Sequence, residues 1–194
     1  MTRTRARSAA FALTALLGAG TCAAAATAPV KQRLAACAGC HGASGNSSLP
    51  GIPSIAGQPK GFLETQLIMF REGVRISPQM EPFAKDLSDA DVAAIAAHYA
   101  TKPAEPSKQT ADPALVKRGR ELAHKLNCGS CHMSDFRGRD HMARLAGQRE
   151  DYLVESMMAY RDNRRTADTT MVAVLYGTSD ADIRALAHYL ARER

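Results

Sequence analysis

The chain has little aromatic character and few cysteines. It contains no Trp, aromatic residues make up 5% of its 194 positions, and there are 5 cysteines. Five cysteines are too few for a disulfide framework in a chain of this length. Collagen and coiled-coil repeats are absent, and a hydrophobic content of 45% excludes an intrinsically disordered chain. The sequence therefore indicates a globular protein of one large or two small domains.

Charge of one sign is not concentrated in any segment. The chain has 25 basic and 19 acidic residues, a net charge of +6. Segment 31–105 is balanced, and segment 108–194 is mildly basic. A nucleic-acid-binding protein would show a denser basic stripe and more aromatic side chains. We therefore expect no nucleic-acid partner.

Residues 1–26 have the features of a secretory signal peptide. Arg3, Arg5 and Arg7 precede a short apolar segment, and an Ala-rich run at 23–26 offers small-residue cleavage sites. The apolar segment is too short to span a bilayer, and no later segment is apolar enough to do so. We predict cleavage of this leader and export to the bacterial periplasm. Whether Cys22 is removed or carries a lipid anchor stays open.

An internal repeat dominates the rest of the chain. The pentapeptide Cys37-Ala-Gly-Cys40-His41 recurs 91 positions later as Cys128-Gly-Ser-Cys131-His132. Ile55-Ala-Gly-Gln58 recurs as Leu145-Ala-Gly-Gln148. Repeats of this length indicate two copies of one structural unit.

A polar, Pro-rich segment at 103–113 separates the two copies. Such composition is typical of a linker. We predict an N-terminal domain over 27–102, a linker over 103–113 and a C-terminal domain over 114–194.

Helical periodicity is present in both halves. Ser88 and Ser179 are predicted helix N-caps, each followed three residues later by an Asp. Apolar side chains follow at helical spacing: Val92, Ile95, Ala96 and Tyr99, and then Ile183, Leu186, Ala187 and Leu190. Because strand-like alternation is absent, we predict an all-α fold with three short helices in each half. Three short helices bury little core, so something else must fill each domain.

The Cys-x-x-Cys-His pentapeptide is the chemical signature of the chain. Two cysteines three positions apart lie on one helical turn, and both sulfurs face the same way. This arrangement suits two thioether bonds to one haem, with the following His as an iron ligand. A redox dithiol would need a βαβ setting, which is missing. A zinc site made by Cys37, Cys40, Cys128 and Cys131 would leave both His residues unexplained.

Two methionines occupy equivalent positions after the two histidines. Met80 follows His41 by 39 residues, and Met171 follows His132 by 39 residues. Each lies eight residues before a predicted Ser cap, in a predicted loop. A Met thioether opposite the His raises the reduction potential of a c-type haem. We predict Met80 and Met171 as axial iron ligands, whereas Met157 and other helical methionines fill the core.

The remaining histidines carry weaker signals. His98, His124 and His188 are predicted surface residues because they lie outside the apolar stripes of their helices. His141 lies in the segment after the second haem motif, so contact with the haem environment stays open for this residue.

The chain resembles the dihaem cytochrome c4 family. The resemblance rests on both Cys-x-x-Cys-His motifs, on Gly42-Ala-Ser-Gly-Asn46, on Pro53-Ser-Ile-Ala-Gly-Gln58 and on Leu145-Ala-Gly-Gln148, together with the two methionine positions. It implies two tandem class I cytochrome c domains, related by a pseudo-twofold axis, each wrapped around one covalently bound haem c. It also implies a periplasmic electron carrier, often membrane-associated. A quinol-oxidising complex or a dehydrogenase would be the electron donor, and a terminal oxidase the acceptor.

The second half departs from the family pattern at Ala143, which stands where the first half has Pro53. In class I cytochromes that Pro carbonyl accepts the N–H of the axial His. Any carbonyl can accept this bond, so we expect it to survive at Ala143. The departure also resembles the dihaem cytochrome subunit of flavocytochrome c sulfide dehydrogenase, so a role as the subunit of a periplasmic dehydrogenase stays open.

A haem enzyme such as a dihaem peroxidase is the third alternative. Peroxidase chemistry needs an open or displaceable distal site and polar groups that cleave the O–O bond. Two matching Met ligands argue against it, so we expect an electron carrier without catalytic residues of its own.

Overall fold

The computed structural model describes residues 29–106 and 110–194, and both halves are helical. The predicted signal peptide, with Cys22, lies outside the described residues. The first half contains α1 (Val30–His41), α2 (Lys60–Arg71), α3 (Glu81–Ala84) and α4 (Asp89–Ala100). The second half contains α5 (Pro113–Lys125), α6 (Gly129–His132), α7 (Glu150–Arg161), α8 (Thr169–Leu175) and α9 (Asp180–Leu190). The part of the chain described holds no β-strand, only an isolated bridge between Arg139 and Met142.

The all-α prediction is confirmed, but the expectation of three helices per half is too low. The additional helices are α3, α6 and α8, which are four to seven residues long. Segments this short hold less than two turns, so hydrophobic periodicity has too few residues to reveal them.

Both predicted serine caps are present. The Ser88 side chain accepts a hydrogen bond from the backbone N–H of Asp91, and the Asp91 carboxylate accepts one from the Ser88 N–H, which makes a capping box at the start of α4. Ser179 caps α9 by accepting from the Asp182 N–H. An arginine of the first helix of the same half pairs with each Asp, Arg33 of α1 with Asp91 and Arg118 of α5 with Asp182. Each last helix is thereby tied to the first helix of its half.

The two halves have separate cores. The N-terminal core consists of Leu63, Leu87, Val92, Ile95, Ala96 and Tyr99. The C-terminal core is larger and centres on α9, where Ile183, Leu186, Ala187 and Leu190 are buried as predicted. Each core places one side of its Cys-x-x-Cys-His segment against apolar side chains, since Cys37 packs on the first core and Cys128 on the second.

Helix α5 crosses α9 closely at Gly119. A Cβ atom at this position would collide with the backbone oxygen of Ala185 and with the Cβ of Tyr189. Only glycine leaves room for the two backbones at this separation. The crossing positions the segment that follows α5, which carries the second pair of cysteines.

The expectation that His188 is a surface residue is wrong. Its side chain is buried, its Nδ1–H donates to Glu150 and its Nε2 accepts the backbone N–H of Asp112. The residue therefore fixes the end of the predicted linker against α9. Sequence periodicity places a residue on a helix face but does not show that a linker covers that face. His124 is exposed, as predicted.

The two domains meet through a reciprocal pair of glutamines. The Gln58 side chain binds the backbone of Arg144, and the Gln148 side chain binds the backbone of Ser54. Both glutamines are buried, with 4% and 5% of their surface exposed. This exchange of equivalent contacts agrees with the pseudo-twofold relation of the two domains. No helix in residues 29–106 or 110–194 has the length and apolar character required to cross a membrane.

Candidate functional site

The first Cys-x-x-Cys-His motif occupies the last turn of α1. Cys37 is half-buried against the N-terminal core, and Cys40 is exposed. His41 is buried, and its Nδ1–H donates to the carbonyl oxygen of Pro53 over 2.9 Å. Because a carbonyl only accepts, this bond fixes the proton on Nδ1 and leaves the lone pair on Nε2. Burial lowers the pKa of His41, which favours the neutral ring that an iron ligand requires.

The second motif has the same geometry on a differently built helix. Asn127 has a left-handed backbone, so α5 ends and the short helix α6 carries Cys131 and His132. The Nδ1–H of buried His132 donates to the carbonyl oxygen of Ala143 over 2.8 Å. Burial also lowers the pKa of this His. The expected bond at Ala143 is therefore present, although the residue is not Pro.

Neither imidazole Nε2 has a hydrogen-bond partner among the described residues. A buried imidazole with one nitrogen held and the other free matches the donor that haem iron takes from a protein. The chain thus presents two histidine nitrogens, each next to a pair of free cysteines, in a form that fits two haem groups.

Met80 and Cys37 line the same apolar pocket in the N-terminal domain, together with Leu67, Phe83 and Leu87. Met80 directly precedes α3, in the predicted connection between α2 and α4. The pocket therefore combines one predicted thioether-forming cysteine with the predicted sulfur ligand.

Met171 was predicted to lie in a loop, but it lies in the first turn of α8. The Asp168 carboxylate caps this helix by accepting from the Met171 N–H, and the same carboxylate acts to raise the pKa of His132, against the larger effect of burial. Asp168 thus lies near both predicted ligands. Cys128 and Met171 also pack against the same C-terminal core, to which the buried Met157 belongs.

The four cysteines are not gathered into a zinc site. Within the described ranges, no group of three or more His, Cys, Asp or Glu side chains is arranged to hold a metal ion. Cys37 and Cys128 contact different cores. The single shared zinc site considered from the sequence is therefore not formed.

His141 contacts the other domain. It is exposed, and its Nδ1 lies 3.0 Å from the Thr65 hydroxyl and 3.2 Å from the Gly61 carbonyl, both on α2. These contacts make it part of the domain interface.

A cluster of two arginines and a tyrosine at the domain interface escaped sequence analysis. The Arg75 guanidinium donates to the Tyr152 hydroxyl over 3.0 Å, and Arg165 donates to the Gln66 side chain over 3.0 Å. Arg75 stacks over Phe70, and Arg165 stacks equivalently over Tyr160. The 90-position spacing between the two arginines was the available signal.

Neither arginine of this cluster has a carboxylate partner among the ion pairs of the described residues. Burial and the neighbouring Arg75 lower the pKa of Arg165. Burial alone would raise the pKa of Tyr152, but the two arginines lower it. Two half-buried cations side by side without a carboxylate give this cluster the electrostatic character of an anion site.

Comparisons with known proteins agree with this geometry. The sequence profile described as "Cytochrome C oxidase, cbb3-type, subunit III" matches residues 24–98, and the profile described as "Cytochrome c" matches residues 116–192. Cytochrome c4 from Thiocapsa roseopersicina is 34% identical over 79% of this chain and 85% of the relative. This chain belongs to the cytochrome c4 family. Membership makes it a dihaem electron-transfer cytochrome with two covalently bound haem c groups.

The solved structures support the same family. The crystal structure of reduced recombinant cytochrome c4 from Pseudomonas stutzeri has a TM-score of 0.77 and 32% identity, and the match covers 85% of this chain and 97% of that one. The two tandem cytochrome c domains predicted from the sequence are therefore confirmed.

The chain is also similar to two proteins whose names include thiosulfate dehydrogenase. The thiosulfate dehydrogenase electron acceptor of Thiomonas intermedia is 32% identical over 82% of this chain and 79% of the relative. The structure of thiosulfate dehydrogenase from Marichromatium purpuratum matches with a TM-score of 0.72 and 30% identity, covering 86% of this chain and 40% of that one.

Proposed function

We propose that the eight predicted site residues hold the two haem groups. Cys37 and Cys40 would form the thioether bonds in the N-terminal domain, with His41 and Met80 as iron ligands. Cys128 and Cys131 would do so in the C-terminal domain, with His132 and Met171 as ligands. The fixed Nδ1 protons of the two histidines support this assignment, because they direct Nε2 away from the protein backbone.

The function supported best is one-electron transfer through two His/Met centres. Haem iron in this ligand set takes up and releases single electrons without a change in bonding. The observation that carries this function is the repeated placement of a buried histidine beside two free cysteines. The protein's own contribution is to orient the ligands, to surround them with apolar side chains and to limit the access of water.

Arg75, Arg165 and Tyr152 would hold the propionate carboxylates of the haems. Two half-buried guanidiniums, neither of which has a carboxylate partner among the ion pairs of the described residues, and a polarised hydroxyl provide donors for anionic oxygens at the domain interface. An anion at this position would offset the repulsion between the two cations.

Residues 1–26 would be removed on export, and the mature domains would extend over 27–102 and 114–194, joined by 103–113. We place the mature protein in the periplasm, with loose attachment to the membrane surface. Haem attachment through the cysteine pairs and the signal-like leader support this location.

The proposed electron donor is a quinol-oxidising complex or a dehydrogenase, and the proposed acceptor is a terminal oxidase. A second candidate function is that of the dedicated cytochrome of a periplasmic dehydrogenase. The similarity to a thiosulfate dehydrogenase electron acceptor favours thiosulfate dehydrogenase as such a partner, beside the sulfide dehydrogenase considered from the sequence.

Haem content and redox titration test the proposed ligation. The intact mass of the mature protein should exceed that of the polypeptide by two haem units, and the titration should show two one-electron steps. His41→Ala and His132→Ala should each disturb one step. A mass increase of one unit or none contradicts the cysteine assignment.

Stopped-flow mixing distinguishes the partners. The oxidised protein is mixed with purified thiosulfate dehydrogenase and thiosulfate, and the reduced protein with oxidase-containing membranes. Rapid reduction in the first experiment with slow oxidation in the second would favour the dedicated-acceptor function, and rapid oxidation by membranes would favour the respiratory carrier.

A further inference from the structure

Each domain contributes one buried glutamine that binds a single backbone segment of the other domain. The Gln58 Oε1 accepts the Arg144 N–H over 2.9 Å, and the Gln58 Nε2–H donates to the Arg144 carbonyl over 2.9 Å. The Gln148 side chain makes the same two bonds with Ser54, both over 2.8 Å. The two pairs are equivalent under the internal repeat.

The bound segment in each case contains the acceptor of a haem-site histidine. The Pro53 carbonyl and the Ser54 N–H belong to one peptide group, and so do the Ala143 carbonyl and the Arg144 N–H. The first carbonyl accepts from His41 and the second from His132. One peptide group therefore links a glutamine to a histidine. Its N–H donates to the glutamine of one domain, and its carbonyl oxygen accepts from the histidine of the other domain.

Hydrogen bonds in series through one amide strengthen one another. When the N–H of a peptide donates to an acceptor, its carbonyl oxygen becomes more negative and a stronger acceptor. A stronger acceptor at Nδ1–H makes the imidazole a more basic iron ligand. We propose that Gln58 and Gln148 are positioning residues that tune the haem centre of the opposite domain, Gln58 acting on His132 and Gln148 on His41.

The proposal fixes the direction of each effect. A more basic histidine stabilises ferric iron, so loss of the glutamine raises the reduction potential of the haem in the other domain. Gln58→Leu should therefore shift the electron toward the C-terminal haem in the half-reduced protein. Gln148→Leu should shift it toward the N-terminal haem. The two substitutions therefore shift, in opposite directions, the equilibrium constant for the distribution of one electron between the two haems.

NMR of the half-reduced protein measures this equilibrium constant through assigned haem methyl resonances. Each single substitution should change it by about two- to tenfold, because a hydrogen bond in series alters the next one by about 10–30% of its gross energy. The double variant Gln58→Leu/Gln148→Leu should return close to the unsubstituted value, because the two shifts cancel.

Thr65→Val is the matched control, since it removes a neutral interface contact without changing the charge. The Thr65 hydroxyl lies 3.0 Å from the His141 Nδ1 across the same interface, and neither group bonds to the Pro53 or Ala143 peptide. This control should leave the equilibrium unchanged. Equal and same-direction shifts in both glutamine variants and in the control would show that the glutamines only hold the domains together, and would overturn the proposal.

The inference depends on the proposed iron ligands. The experiment distinguishes failure of the proposed ligation from failure of the proposed role of the glutamines. Absence of two haems or of His/Met spectra in the unsubstituted protein contradicts the proposed function. Normal haem content and spectra without opposite shifts contradict only the role of the glutamines. If one glutamine variant fails to bind both haems, the direction of the shift in the electron distribution of the other variant still tests the proposal.

Discussion

Two methionines of the C-terminal domain, Met157 and Met171, test the ligand assignment. Replacing the thioether of Met171 by an imidazole in Met171→His should lower the potential of the C-terminal haem by on the order of 100 mV, because imidazole stabilises ferric iron. Met157→Leu conserves volume in the core and should leave the potential nearly unchanged. Redox titration and the sulfur-to-iron absorption band measure both. Control of the band by Met157 would contradict the assignment.

The half-buried Arg144 lies next to the carbonyl that binds His132 and has no carboxylate partner among the ion pairs of the described residues. Burial lowers its pKa, and Arg137 adds to that effect. A nearby cation disfavours ferric iron, so Arg144→Gln should lower the C-terminal potential by on the order of tens of millivolts. Exposed Arg139 is screened by solvent, and Arg139→Gln should have a smaller effect that vanishes at high salt.

The lengths of the histidine–carbonyl hydrogen bonds at Pro53 and Ala143 give a further expectation for the redox titration of the C-terminal haem. His41 and His132 reach their carbonyls over 2.9 and 2.8 Å, so the alanine keeps the histidine bond at the length that the proline gives it. We therefore expect Ala143→Pro to change the potential less than Arg144→Gln does. A larger change in potential in Ala143→Pro than in Arg144→Gln would show that the proline ring matters for the haem site.

At this scale the sequence was enough to propose the ligand residues, but it missed the residues of the domain interface. Cys, His and Met stand at fixed spacings that local geometry explains. Arg75 and Arg165 were equally regular in spacing, but their role depends on which side chains of the other domain lie opposite. Spacing along one chain does not contain that information.

Among the helices, the α5–α9 crossing is the most sensitive to side-chain size. Gly119→Ala should lower the free energy of unfolding by about 1–3 kcal/mol, because the added methyl group meets the α9 backbone. Glu121→Ala, at an exposed position of the same helix, should stay within about 0.5 kcal/mol of the unsubstituted protein. Thermal unfolding followed by circular dichroism compares them. A neutral Gly119→Ala would mean that the helices separate at little cost.

The α4 capping box gives a pH dependence. The Ser88 hydroxyl, against the effect of burial, lowers the pKa of Asp91, with help from the Ser88 N–H and Arg33. A lowered folded-state pKa adds stability above the unfolded-state pKa, and that stability is lost as the pH falls through the folded-state value. Asp91→Asn should therefore destabilise by about 1–2 kcal/mol at neutral pH.

The difference between Asp91→Asn and the unsubstituted protein should shrink below about pH 4, near the ordinary pKa of Asp. Denaturant unfolding at a series of pH values measures it. Asp86→Asn, at an exposed carboxyl in the same domain, serves as the control and should show no such trend. A difference that does not shrink at all between pH 7 and pH 3 would assign the effect to packing.

Long helices with caps could be predicted, and short ones could not. Helices α4 and α9 begin at the expected serines because Ser and Asp side chains satisfy free N–H groups locally. The position of Met171 within α8 depends on Asp168, which caps only three residues ahead of it. A helix of less than two turns offers too little periodic pattern to be predicted, so the existence of α8 follows from its cap and from tertiary packing.

For the molecule as a whole, the haems should be part of the fold. Each half has a small core beside its cysteine pair, so the free energy of haem binding contributes to folding. Cys37→Ala/Cys40→Ala should remove one haem unit from the intact mass and reduce helicity mainly in the N-terminal domain, which has the smaller core. An apo-protein with the circular dichroism of the holo-protein would contradict this dependence.

The paired glutamines of the two domains have the form of an isologous contact, in which one surface patch meets its own equivalent. Such a contact forms in the same way whether the two equivalent patches belong to one chain or to two chains. Covalent connection converts docking into an intramolecular event at an effective concentration in the millimolar range. The contacts of the interface, these four amide hydrogen bonds among them, need then provide only a weak intrinsic affinity. A pairing too weak to hold two separate chains together at cellular concentrations is kept closed by the segment that joins the domains.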